Sequence, residues 1–230
     1  MPTAARASAE KSDARGTPRS RKGVQTRARL VEAAKTVFER DGFLEARIVD
    51  IAEAANLAPG SFYHYFDSKE ELFLEVAQIQ EERLTAPADD PAVDGLDGAP
   101  SDRIRRANRL YLERYRDEAA LMGVIEQVSR YDEDVNTARM ATMKHFVERA
   151  ERSIRHWQRE GLADARLNPS MAADALGAMI ARVAELWLVQ CYRDYDFDTA
   201  VEQLSILWAN ALGFPDGRDN GKAKSRRRKS

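Results

Sequence analysis

Residues 171–192 and 197–214 are apolar almost all round at helical spacing, with none of the alternation a strand needs. A helix that is apolar on more than one face must be covered on more than one face, so these segments require a bundle of helices around them. The rest of the chain follows the same period. Leu30, Ala33, Ala34, Val37 and Phe38 fall at i, i+3, i+4, i+7 and i+8. Ile104, Ala107, Tyr111 and Tyr115 make a second stripe, and Met143, Phe146, Ala150, Ile154 and Trp157 a third. There is no internal repeat. The expected class is all-α.

The chain has 230 residues, 43% hydrophobic and 32% charged, which suits one or two modest domains. The one cysteine, Cys191, has no intrachain partner, so a disulfide framework is excluded. No apolar run approaches the roughly 20 residues that cross a bilayer. The basic first 29 residues lead into no apolar stretch of the secretory kind. A soluble, cytoplasmic protein without a membrane partner is expected. The net charge of −2 conceals an asymmetry. Residues 1–29 carry 8 Lys/Arg against 2 Asp/Glu, and residues 216–230 carry 7 against 2. The body between them is strongly acidic. Such basic ends serve as electrostatic arms toward nucleic acid, or, for the last stretch, equally as a solubilising tail.

The pattern divides the chain into a disordered basic arm (1–21), a helix-turn-helix head (22–68), a larger helical domain (69–214) and a disordered basic tail (215–230). In the head, a helix runs from near Val24 to Arg40, with Gly42 placed as a left-handed C-terminal cap. Ile48, Ile51, Ala52 and Ala55 mark a helix of about two turns. Asn56-Leu57-Ala58 makes a tight corner, because Asn tolerates the left-handed geometry. Pro59 opens the next helix where its missing N–H costs nothing. Asp67-Ser68 then cap a long helix to about Leu84, with Glu71 completing a capping box. Residues 85–100, rich in Pro and Gly, read as a linker.

Residues 47–66 thus have the mechanics of a helix-turn-helix, in which the second helix offers its N-terminal side chains to the major groove. Phe62 and Phe66, at i and i+4, should bury against the head. Gly60 and Ser61 permit close approach to bases. The hydroxyls of Ser61 and Tyr63 and the imidazole of His64 can bond base edges or phosphates.

These residues resemble the TetR family of bacterial transcriptional regulators. The matching positions are Arg29-Leu30, Ala33-Ala34, Phe38, Asp41-Gly42-Phe43, Asp50-Ile51-Ala52, Ala55-Asn56-Leu57, Gly60 through Phe66, and Ser68-Lys69-Glu70-Glu71-Leu72. The resemblance covers roughly residues 24–75. It implies a homodimer that binds a palindromic double-stranded operator through two such heads, and a C-terminal domain for dimerisation and for a small-molecule effector. By position it implies phosphate contacts from Tyr63 and Lys69 and base reading by Pro59, Gly60, Ser61 and His64. It also places Arg27 to grip phosphate at the start of the first helix. Three departures stand out. Ala46-Arg47 occupy a place where the family often has Thr or Ser, Arg47 offering a charged phosphate contact instead. Ala58 replaces a frequent Ser cap, and Tyr65 a common His. The resemblance implies a repressor released by its effector, working in the cytoplasm and associated with the nucleoid when bound to DNA.

The body offers broader candidates. Tyr111, Tyr115, Met122, Met143, Phe146, Trp157 and Met179 lie on apolar stripes, and read either as core or as the lining of a pocket for an apolar or amphipathic effector. Trp187, Leu188, Trp208 and Leu212 are candidates for a dimer interface or for intrachain core. Arg182 and Glu185, three apart, read as an exposed pair, a cross-dimer ion pair or polar anchors for a ligand. His64, His145 and His156 are scattered without metal-ligand spacing. No glycine-rich phosphate loop or nucleophile motif is present, so neither enzyme activity, a metal nor a cofactor is expected. A constitutive DNA- or protein-binding helical module is the alternative, and a filled C-terminal core would mark it.

Overall fold

The computed structural model describes residues 21–85 and 99–214. The basic arm, the basic tail and most of the 85–100 linker lie outside the described residues. Ten helical elements are described: α1 (Arg21–Glu45), α2 (Ile48–Ala54), α3 (Pro59–His64), α4 (Lys69–Thr85), α5 (Pro100–Asp117), α6 (Ala119–Val128), α7 (Glu133–Arg159), α8 (Pro169–Ala184), a π-helical turn (Glu185–Val189) and α9 (Phe197–Leu212). Among the described residues there is no strand, and no helix is long and apolar enough to cross a membrane.

The chain forms two compact units that do not follow chain order. Among the described residues, the first comprises 21–82 with Glu118–Met140, the second 83–85 and 99–117 with 141–214. Helix α6 and the start of α7 therefore belong with the head, whereas the sequence pattern groups them with the body. The tryptophans Trp157, Trp187 and Trp208 all fall in the second unit.

In the first unit α1 packs against α2 and α6. Leu30, Ala34 and Phe38 on α1, Ile51 and Ala52 on α2, Leu72 and Phe73 on α4 and Ile125 on α6 are all fully buried. Each large side chain there contributes about 1.5–3 kcal/mol by leaving water. Phe73 meets Phe38 and Phe43 at ring-centre distances of 5.0 and 4.9 Å, both edge-on. Lys35 reaches Glu118 at 2.6 Å and so ties α1 to the residue ahead of α6. Gly42 breaks α1, at φ 73° and ψ 174°, a conformation open essentially to glycine alone.

In the second unit α9 packs along α5, and α8 touches both. The buried Asn108 donates its Nδ2–H to Ser205 Oγ at 3.2 Å, and Ser205 donates to the Val201 carbonyl at 2.7 Å. Asn168 and Asp196 cap α8 and α9, each accepting the backbone N–H three residues on. Pro169 fills the first position of α8. Helix α9 stops at Gly213, left-handed at φ 72° and ψ 28°. Beyond Ala184, residues Glu185–Val189 widen into a π-helical turn that closes with Gln190 N–H donating to the Glu185 carbonyl at 3.0 Å.

Candidate nucleic-acid interface

The corner between α2 and α3 is built as the sequence demands. Asn56 stands at φ 55°, and Leu57 N–H donates back to the Ala52 carbonyl at 2.9 Å. Arg29 on α1 donates to the carbonyls of Ala55 and Asn56, covering the end of α2. Pro59 starts α3, which is a 3-10 helix rather than the α-helix the pattern suggests. Its bonds run i to i+3, with Ser61 N–H on the Ala58 carbonyl at 2.8 Å and Tyr65 N–H on the Phe62 carbonyl at 2.9 Å. The element is six residues long, and tight 3-10 turns suit such short runs.

The buried face of α3 is Phe62 and Phe66, whose rings lie 5.8 Å apart. The opposite face, Ala58, Pro59, Gly60, Tyr63 and His64, is exposed. Tyr63 is 60% exposed, and its ring stands edge-on to Phe62 at 5.3 Å. A Cβ built on Gly60 would meet nothing within 4 Å, so nothing inside the head requires a glycine there. Ser61 is half-buried. Five of the eight expected DNA contacts, Pro59, Gly60, Ser61, Tyr63 and His64, therefore share one turn with its outer face open.

The three expected cations are engaged within the chain. Arg47, its side chain 74% exposed, holds Asp50 in a two-pronged pair at 2.8 and 2.7 Å. That hydrogen bonding lowers the Asp50 carboxyl and raises the guanidinium. Arg27 pairs with Glu75 on α4, and its guanidinium lies 4.4 Å from the centre of the Phe66 ring. Lys69 donates to the carbonyls of Phe43, Leu44 and Ala46, at 2.7, 3.2 and 2.9 Å. Within the chain, Arg27 and Lys69 thus face partners of the head itself. Both lie where an acidic or carbonyl-rich neighbour from another helix reaches them first, and sequence spacing cannot show that.

Helix α4 begins with Ser68 Oγ accepting the Glu71 N–H at 3.1 Å. The Glu71 carboxylate accepts the N–H of Asp67 at 2.6 Å, one residue before the partner a capping box uses.

The body candidates fall in different places. Met122 belongs to the first unit and the other six to the second, so they do not line one place within a unit. Tyr111 meets Phe146 edge-on at 5.5 Å and Tyr115 at 5.9 Å, with Tyr115 buried. Met143, Phe146 and Met179 are half-buried. Trp157 is buried against Phe214, rings 5.2 Å apart. Trp187, Trp208 and Leu212 are already buried within the single chain, and Leu188 is half-buried. The first three are core, which leaves them little surface for a second copy. Sequence reasoning missed a different stripe on α9. Gln203, Ile206, Leu207, Asn210 and Ala211 are exposed at i, i+3, i+4, i+7 and i+8, with Leu207 52% open. Because α9 is apolar on several sides, periodicity could not separate its covered faces from this one. Arg182 and Glu185 pair with each other at 2.5 Å within the chain, and Gln190 donates to the buried Glu185 carboxylate at 2.9 Å. Among the described residues no group of His, Cys, Asp and Glu could hold a metal ion.

The family model for bacterial regulatory proteins of the tetR family matches residues 30–76, the span that holds this corner. The HTH-type transcriptional regulator YdgC of Bacillus subtilis is 44% identical over 55 residues, which are 24% of this chain and 28% of that protein. The match thus spans less than a third of that relative's length. The solved structure of the fatty acid degradation regulator FadR from Bacillus halodurans is 15% identical with a TM-score of 0.69, covering 86% of this chain and all of that one. FadR from Bacillus subtilis, solved with stearoyl-CoA, is 13% identical with a TM-score of 0.68, covering 80% of this chain and 98% of that one. At such identity these two structures speak for the fold. The head, residues 30–76, thus matches the tetR family of bacterial regulatory proteins, and the all-helical fold is similar to that of solved regulators.

Proposed function

We propose that this protein is a transcriptional repressor that binds a palindromic operator as a homodimer and is released by a small apolar or amphipathic effector. The observation that carries the reading is α3, anchored by buried Phe62 and Phe66, with Pro59, Gly60, Tyr63 and His64 on its open face. A short element with an apolar root and small or polar tips suits insertion into a major groove. The exposed apolar stripe at Ile206, Leu207 and Ala211 supports pairing of α8 and α9 with their symmetry mates. Tyr111, Tyr115, Phe146, Met143 and Met179, an aromatic and thioether set in the second unit, supports an effector with an acyl or aromatic portion. The stearoyl-CoA bound by the Bacillus subtilis FadR makes a long-chain acyl thioester the first probe to try. The effector would favour a dimer whose heads no longer match successive major grooves about 34–36 Å apart. Helix α4, which contributes residues to both units, would connect the two events.

The head carries its own constraint. Residues 30–80 hold 4 basic and 10 acidic residues, and the charge of the basic arm offsets that deficit. The arm thus supplies much of the non-specific affinity, and binding weakens steeply with salt. Selection of bound duplexes from a random library tests the reading. A palindromic winner released by stearoyl-CoA supports it in full. A winner indifferent to acyl-CoA chains removes the effector class, and no enrichment removes the DNA-reading role.

A further inference from the structure

We infer that Lys69 is a positioning residue: its ammonium clamps α4 to the corner between α1 and α2 and so sets where the reading turn stands, in the DNA-bound protein as in the free one. Gly42 ends the regular part of α1, and the carbonyls that follow a helix end have no helical N–H to accept. Arg47, at the N-cap of α2, makes no side-chain cap.

Lys69 reaches in from the first turn of α4 and donates to Phe43, Leu44 and Ala46. An ammonium has three N–H donors, and three carbonyls take them all. A phosphate could be gripped only by breaking one of these bonds. The same nitrogen stands 4.6 Å from the centre of the Phe43 ring. One turn further along α4, Phe73 packs edge-on against that ring at 4.9 Å. Lys69 and Phe73, at i and i+4, therefore hold Phe43 from two points, one polar and one apolar. Phe43 lies five residues before α2, which packs against α3, the element carrying Pro59 to His64. A shift of the first turn of α4 must be passed to this corner or must break the clamp.

Two sets of measurements test this, and only the second rests on the proposed DNA reading. In the free full-length protein, amide hydrogen exchange across residues 43–51 should quicken at least tenfold in Lys69→Met. Unchanged exchange would overturn the clamp whether or not the protein reads DNA. On the duplex that wild type selects, Lys69→Met should weaken binding about tenfold with the slope of log affinity against log salt unchanged. If Lys69 instead neutralises a phosphate in each protomer, that slope falls by about 2, at about 0.9 per contact. Lys69→Arg distinguishes the roles again. A guanidinium restores a phosphate contact but is too broad for the three-carbonyl nest, so rescue by Arg would overturn the inference and failure to rescue supports it. Should Lys69→Met not fold, Lys69→Gln, which is shorter and uncharged but keeps two N–H donors, replaces it in both sets. Should wild type select no duplex, the exchange measurement alone decides.

Discussion

Gly60→Ala separates the two reasons a chain can have for glycine. In the folded protein a Cβ at this position meets no atom within 4 Å, and the backbone there is not in the left-handed region. The methyl group therefore costs nothing in packing or torsion. Alanine loses less backbone entropy than glycine on entering a helical turn, by about 0.5–1 kcal/mol. The variant should be as stable as wild type, or more stable by up to about 1 kcal/mol. Toward DNA the sign reverses. Gly60 lies on the open face of α3 between Pro59 and the half-buried Ser61. If that backbone lies against the groove, the methyl displaces about one hydrogen bond per half-site, each contributing about 0.5–1.5 kcal/mol. A dimer then loses about 1–3 kcal/mol, or roughly fivefold to a hundredfold in affinity. Urea unfolding followed by far-UV circular dichroism gives the first quantity, and fluorescence anisotropy with the selected duplex gives the second. Equal stability with a loss of affinity is the expected pair of results. Unchanged affinity would take Gly60 out of the interface, and a loss of stability above about 1 kcal/mol would refute the geometric premise.

Gly42→Ala should show the opposite pattern. Space is open around it too, but φ 73° with ψ 174° is strained for any residue with a Cβ, at about 1–3 kcal/mol; a urea midpoint within error of wild type would contradict this. His64→Ala should change which base is preferred at one position of each half-site, whereas Tyr63→Phe should weaken all sequences alike; repeating the duplex selection with each variant reads both. Asp164 is held at about 2 by hydrogen bonds from the Arg166 side chain and backbone N–H. Its folded value lies below the ordinary 3.8, so its contribution to stability is present above about pH 3.8 and is lost as pH falls toward 2. In Arg166→Ala an NMR titration should find the Asp164 carboxyl much closer to 3.8; a value still near 2 would show that the backbone bond alone depresses it.

The head was legible because its local rules agree. The stripe from Leu30 to Phe38, the Asn56 corner, Pro59 at a helix start and Ser68 as a cap each specify one local geometry, and all of them recur in the structure. What was not legible is long-range. Nothing near Arg27 in sequence announces Glu75, 48 positions away, and nothing near Lys69 announces the carbonyls more than 20 residues before it. The placement of α6 with the head likewise depends on contacts with α1 that no spacing within either helix encodes. In the second unit the difficulty differs. Helices α8 and α9 have so much apolar surface that the face turned to Trp208 and the face left open at Leu207 read alike.

All three tryptophans lie in the second unit, while the first carries only tyrosines among its strongly absorbing rings. The molecule is therefore optically divided. Its indole emission reports on the unit where an effector is proposed to bind, and none of the three indoles belongs to the unit that holds the head. Titrating the effector by tryptophan emission, with and without duplex, then yields the coupling free energy from two curves, without a label. Reciprocity requires the same factor when the titration is run the other way.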